Sequence, residues 1–309
     1  MSEDSNLQDD TAEEDAPASP DLSSESPRDT PKSKLISQFV VFPLAMVLVG
    51  VSIYLFLGIL TSDNRTASDY LDTIRRGGIN SRWQAAYELV KVLSVESRKG
   101  TLDPRFADEI VNVFNASVHD DPRVRRYLAR AMEMVDSPAV VEALIKALSD
   151  ADEETRLYAI HSLGSLCAEV SVPDLLRFAR DQDSGFRKAA VYALGQMQDP
   201  RARDQLLIAM NDRVADVRWN AALQMARRGD RAGEKVLGEM MHRPFLAGLE
   251  MTEEQRVTAM VYAIRASGAL KLESLKDHIT ELKGKDESLK VRQAAIEALE
   301  QWEALDNGD

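Results

Sequence analysis

Cysteine is all but missing from this chain. Cys167 is the only one in 309 residues, so no internal disulfide can staple the fold. Histidine is scarce too. His119, His161, His242 and His278 stand apart from one another, and none is followed by glutamate. No His/Cys/carboxylate spacing suited to a metal results. No glycine loop that could cradle a phosphate occurs, and no G-x-S-x-G nucleophile turn. Aromatic residues make up 6% of the chain, which argues against a sheet protein built on aromatic and β-branched strands. Net charge is −13 and no region is strongly basic, so phosphate-driven binding to nucleic acid is excluded. The expectation is a protein that is not an enzyme, with no cofactor and no small-molecule substrate.

What is present divides into segments. Residues 1–37 are rich in Ser, Pro, Asp and Glu, with a net charge of −7 and almost no large apolar side chains. Such a stretch cannot bury enough surface to offset the entropy of ordering, and is expected to be a disordered acidic tail. The run from Phe39 to Leu60 holds no charged side chain. As a helix it would be about 33 Å long, matching a bilayer core. Residues 38–60 are therefore expected to form one transmembrane helix. The positive-inside count is nearly even on the two sides. The long charged tail favours a cytoplasmic N-terminus, with the rest of the chain extracytoplasmic. Residues 61–80 read as a juxtamembrane connector helix, capped by Thr66 or Ser68, with Arg75 and Arg76 in its last turn and Gly77 and Gly78 ending it.

Residues 81–309 carry a repeat. Arg125, Arg156, Arg187 and Arg218 follow one another at one constant step. That step lies within the range of roughly 20–50 residues that marks stacked structural units. Counting each arginine as zero, slots +3, +6 and +7 hold Leu128, Ala131 and Met132; then Ala159, Ser162 and Leu163; then Ala190, Ala193 and Leu194; then Ala221, Gln224 and Met225. This is one mainly apolar face of an amphipathic helix. Asp121, Asp152 and Asp183 stand four residues before an arginine, where they suit helix N-caps. "DSPAVV" and "DPRAR" break each helix and start a second at a proline. Further copies surround Arg82 and Arg292, and a looser one Arg256, each separated from its neighbour by a wider interval. The expected fold is all-α: an α-solenoid of about seven helical hairpins, the last incomplete.

With Asp before it and "DPxA" after it, "VRxxAxxAL" resembles HEAT repeats of the short bacterial type also found in phycobilin lyases. "FRKAAVYALGQMQDPRA", Phe186–Ala202, is close to that pattern. The resemblance specifies architecture and says little of function. It implies an aspartate–arginine ladder between neighbouring units, carried here by Asp121, Asp152, Asp183, Arg125, Arg156, Arg187, Arg218 and Arg292. Arg218 lacks the aspartate, since Val214 stands in its place, and Asp212 or Asp216 could serve. The same arginines could instead form a basic strip for acidic ligands. HEAT-like hydroxylases that modify a lysine use His-Glu pairs, which this chain lacks.

Two tryptophans, Trp83 and Trp219, occupy slot +1, which elsewhere holds Arg126, Leu157, Lys188, Val257 and Gln293. They could anchor a partner, or lie over the loop of the next repeat. Met225, Met240, Met241, Met251 and Met260 could line an adaptable surface or fill the core. Cys167 reads as a small buried hydrophobe, and His161 as a partly exposed surface residue. The functional expectation is a membrane-anchored scaffold or adaptor for other proteins, membrane-resident ones among them. The alternatives are an enzyme or chromophore-handling protein of the lyase type, and a cytoplasmic regulator of a transporter.

Overall fold

The computed structural model describes residues 42–60 and 65–306. The chain divides into two units between Asn64 and Arg65. The expected acidic tail, 1–37, lies outside the described residues.

In the first unit one helix, α1 (Phe42–Leu60), is described. Among the described residues, no helix is long and apolar enough to cross a membrane. The expected single-pass anchor is overturned by this finding. The cytoplasmic and extracytoplasmic placement, and the membrane-resident partner that followed from it, fall with the anchor.

The second unit is built from helices alone among its described residues. They are α2 (Ala67–Arg76), α3 (Ile79–Lys99), α4 (Phe106–Ala116), α5 (Pro122–Ala131), α6 (Pro138–Ala147), α7 (Glu153–Ser165), α8 (Val172–Phe178) and α9 (Ser184–Gly195). Then follow α10 (Pro200–Ala209), α11 (Ala215–Arg227), α12 (Glu234–Met241), α13 (Arg243–Ala247), α14 (Glu253–Ala269), α15 (Glu273–Lys285) and α16 (Leu289–Asp306). The arginine-bearing A helices are α3, α5, α7, α9, α11, α14 and α16. Each packs on the A helix before and after it, and the B helices pair with them as hairpins. The result is an all-α repeat solenoid.

Local chemistry explains the punctuation. Thr66 and Asp69 form a reciprocal capping box on α2, and Thr252 and Gln255 form one on α14. Asp121, Asp152, Asp183 and Asp199 cap α5, α7, α9 and α10 by accepting backbone N–H groups. Pro122, Pro138, Pro173, Pro200 and Pro244 occupy first turns, where no N–H is required. Slots +3, +6 and +7 counted from Arg125, Arg156, Arg187 and Arg218 are buried. The A helices meet most closely at small residues. A Cβ added at Gly164 would lie 2.6 Å from Cα of Ala193 in the next A helix. Ser162 donates its hydroxyl to the Ala129 carbonyl at 2.9 Å.

Cys167 departs from its expectation. It is exposed, at φ +50°, just past the end of α7. Turning the chain there outranks burying a small thiol. Met225, Met240, Met241 and Met260 are buried, and Met251 is half-buried.

Candidate functional site

Arginines at slot zero make two kinds of contact, and Arg187 and Arg218 make both. Nη1 can donate back to the main-chain carbonyl six residues earlier: Arg156 to Asp150 at 2.9 Å, Arg187 to Asp181 at 3.0 Å, and Arg218 to Asp212 at 2.9 Å. Arg292 makes the same bond to Asp286, whereas Arg125 donates Nη1 to the Phe114 carbonyl instead, at 2.7 Å. In Arg125 and Arg187 other nitrogens reach forward to an aspartate in the next repeat. Arg125 donates Nε to Asp150 at 2.8 Å, and Arg187 donates Nε to Asp212 at 2.7 Å, each 25 residues on. These pairs are nearly buried, with side chains 10%/10% and 7%/13% exposed. Burial pushes the Asp212 carboxyl up, but Arg187 and the Val214 N–H outweigh it and hold the group below the usual carboxylate range.

The carboxylates that meet the forward-reaching arginines are thus the aspartates six residues before the next arginine. Asp121, Asp152 and Asp183, at minus four, serve as helix caps. Asp152 also receives Arg126 of slot +1 in a bidentate pair at 2.8 and 2.7 Å, and Asp121 receives Arg123. Arg218 reaches Glu239 instead, and Asp216 pairs with Lys188 at 3.3 Å. Arg156 also lies over the Phe186 ring of the next repeat at 5.1 Å. The minus-six aspartates repeat at the period of the arginines, and that periodicity was the signal available in the sequence.

The outer faces of the A helices carry most of the tyrosine. The chain has seven tyrosines, and Tyr87, Tyr127, Tyr158, Tyr192 and Tyr262 all sit on A helices at slots +2, +5 or +6. Tyr87 is 43% and Tyr262 54% exposed. Tyr87 and Tyr127 meet edge to face at 5.3 Å, and His161 stacks on Tyr192 at 5.1 Å. Lys91 lies 4.2 Å from the Tyr87 ring centre, and Arg130 5.8 Å from that of Tyr158. His161 is exposed, with Nδ1 3.1 Å from a Glu133 carboxylate oxygen. Trp83 is half-buried beneath Arg123, whose guanidinium lies 4.2 Å from the ring centre. Trp219 is 5% exposed and donates its indole N–H to Glu239 at 3.2 Å. The two tryptophans share a slot but differ in environment.

A groove interrupts this face between α11 and α14. Its volume is about 770 Å³, with Trp219, Leu223 and Met240 on one side and Met251, Thr258 and Tyr262 on the other. Three carboxylates, Asp216, Glu250 and Glu254, line it, and no cationic side chain does. Through Thr258 and Tyr262 it continues into a second hollow of about 450 Å³ between α14 and α16, where Leu289, Arg265 and Lys290 stand. The groove falls where α13 and the segment to Met251 are inserted, which stretches the step from Arg218 to Arg256 beyond the regular one. Among the described residues no group of His, Cys, Asp and Glu could hold a metal ion.

Residues 111–187, 141–227 and 172–246 match the family model of HEAT repeats. Comparison with curated proteins gives no match. Among solved structures, the chain is similar to the complex of CpcE and CpcF of phycocyanin lyase from Nostoc sp. PCC7120. That match has 18% identity over 79% of this chain and 96% of that one, with a TM-score of 0.51. YibA of E. coli has 15% identity over 75% and 92%, with a TM-score of 0.47. Human deoxyhypusine hydroxylase has 14% identity over 77% and 96%, with a TM-score of 0.31. The match to the HEAT-repeat model covers residues 111–246, less than half of the chain, and the likeness to the lyase structure shows a helical-repeat fold across most of it.

Proposed function

We propose that residues 81–309 form a non-catalytic docking module, a scaffold that holds another protein against the outer faces of its A helices. The observation that carries this reading is the concentration of tyrosine there. Five of seven tyrosines lie on A helices, Tyr87 and Tyr262 exposed and Tyr127, Tyr158 and Tyr192 half-buried, in a chain otherwise poor in aromatics. Tyrosine brings large contact area at low side-chain entropy, and binding energy concentrates on such residues. An extended stack of hairpins offers this surface without a deep pocket. Trp83 belongs to the N-terminal end of the stripe, and Trp219 supports the groove from below. The arginine–aspartate network is read as structural cross-linking between repeats, in preference to a strip for acidic ligands, because its cations already face carboxylates and carbonyls.

The test is site-specific photocrosslinking in cells with a benzophenone amino acid. It is placed at Tyr87, Tyr158 and Tyr262, and at Ile208 on B helix α10 as control. The expected result is a discrete protein adduct from the tyrosine positions and none from Ile208. Adducts from Ile208 alone, or from no position, overturn the reading.

A further inference from the structure

We infer that the groove between α11 and α14 is the specificity pocket of the docking face, and that its occupant is a peptide segment carrying one Arg or Lys within an apolar stretch. The inference rests on the docking reading and adds the chemistry of the partner.

The argument starts from the insertion. From Arg125 to Arg218 consecutive A helices follow at the constant step and meet at small side chains, as at Gly164 and Ala193. Between α11 and α14 the added segment leaves a cleft deep enough for Met240 of a B helix to contribute to its wall. The walls combine apolar and aromatic side chains with the neutral polar Asn220, Thr252, Gln255 and Thr258, and the charged lining is entirely acidic. Glu250 and Glu254 are exposed and, among the described residues, have no cationic partner. Asp216 has only the exposed Lys188 at 3.3 Å. A long aliphatic stem with a cationic head fits that combination: methylenes against Leu223 and Met251, the head between the carboxylates and the face of Tyr262. The second hollow carries Lys290 and also Arg265, which pairs with Glu297 at 3.3 Å. A uniformly basic segment would meet repulsion there, so complementarity calls for a single base followed by apolar residues.

The experiment pans a phage library of random twelve-residue peptides on the full-length chain. Enriched peptides are then synthesised with a fluorophore and titrated by anisotropy. The expected result is enrichment of one Arg or Lys beside apolar residues, with affinity falling at least tenfold for Glu250→Lys/Glu254→Lys and for Tyr262→Ala. All three positions are exposed, and circular dichroism checks that the variants stay folded. Replacing the peptide's base by norleucine should cause a similar loss. Enriched peptides without a base, or ones that bind the charge-reversed variant equally well, overturn the groove assignment. If such peptides still lose affinity on Tyr87→Ala/Tyr158→Ala, the docking reading survives that failure. If they are insensitive to both sets of variants, or if no peptide is enriched, the docking reading falls as well.

Discussion

An arginine that spans two repeats is worth more than a surface charge. Arg187 holds two carbonyls of its own repeat and the Asp212 carboxylate of the next, and is 6% exposed. Removing it leaves Asp212 nearly buried without its cation. Arg187→Ala is expected to destabilise the chain by about 3–5 kcal/mol, the range for breaking a buried pair from one side. Asp183→Ala should lose about 1 kcal/mol, because Asp183 only caps α9. Urea unfolding of both variants checks the contrast, and equal losses would contradict these roles. Acid sensitivity belongs to the same scale. Arg126 beside Asp152 holds that carboxyl down to about 2; burial opposes this and the Thr155 hydroxyl and N–H assist it. Such a group adds stability that is complete above its unfolded value of ~3.9. The contribution disappears as pH falls from about 4 to about 2. It is on the order of 1–2 kcal/mol after allowance for solvent near the pair. Asp152→Asn keeps a capping side chain and should flatten this part of the pH–stability curve. The core slots and the caps were readable at this scale, because both obey spacing rules within one helix. The carboxylates facing Arg125 and Arg187 were not. Asp150 and Asp212 lie a whole hairpin further along the chain and meet their arginines only when two repeats stack.

The element scale is governed by how closely A helices approach. Gly164 faces the Ala193 backbone, which cannot move aside as a flexible side chain would. Gly164→Ala should therefore lose about 1–3 kcal/mol by forcing α7 and α9 apart, despite the better helix propensity of alanine. Thermal melts read this directly, and a stabilised variant would show that the helices separate freely. Hairpin order and helix starts were legible because aspartate, proline and the apolar period mark them in the sequence. The widened interval after Arg218 announced an insertion as well. That this insertion opens a groove was not legible, since a longer step is equally compatible with a loop that covers the face. The burial of Trp219 is a second element-level outcome. It shares slot +1 with the exposed Lys188, yet Glu239 of α12 takes its indole N–H.

For the second unit as a whole, each repeat leans only on its neighbours, so damage should stay local. Trp302 is fully buried near the C-terminal end of the stack, donating its indole N–H to Glu273 at 3.3 Å. Trp302→Ala is expected to lower stability by about 3–5 kcal/mol. Faster hydrogen exchange should be confined to α14–α16, with α5–α9 still protected. Uniformly faster exchange would mean that the unit behaves as one cooperative block. The sequence by itself determined the helical class, the constant step of the arginines, the capping aspartates and the apolar slots. The class, caps and slots are set by interactions among residues a few positions apart, where helix geometry leaves few choices, and the step is their recurrence along the chain. Only the tertiary structure decided which aspartate meets which arginine, that one tryptophan is buried and the other half-covered, and that an acidic groove opens between α11 and α14. Those outcomes depend on how one hairpin lies against the next, and that superposition is fixed by contacts between distant side chains, which no local spacing encodes.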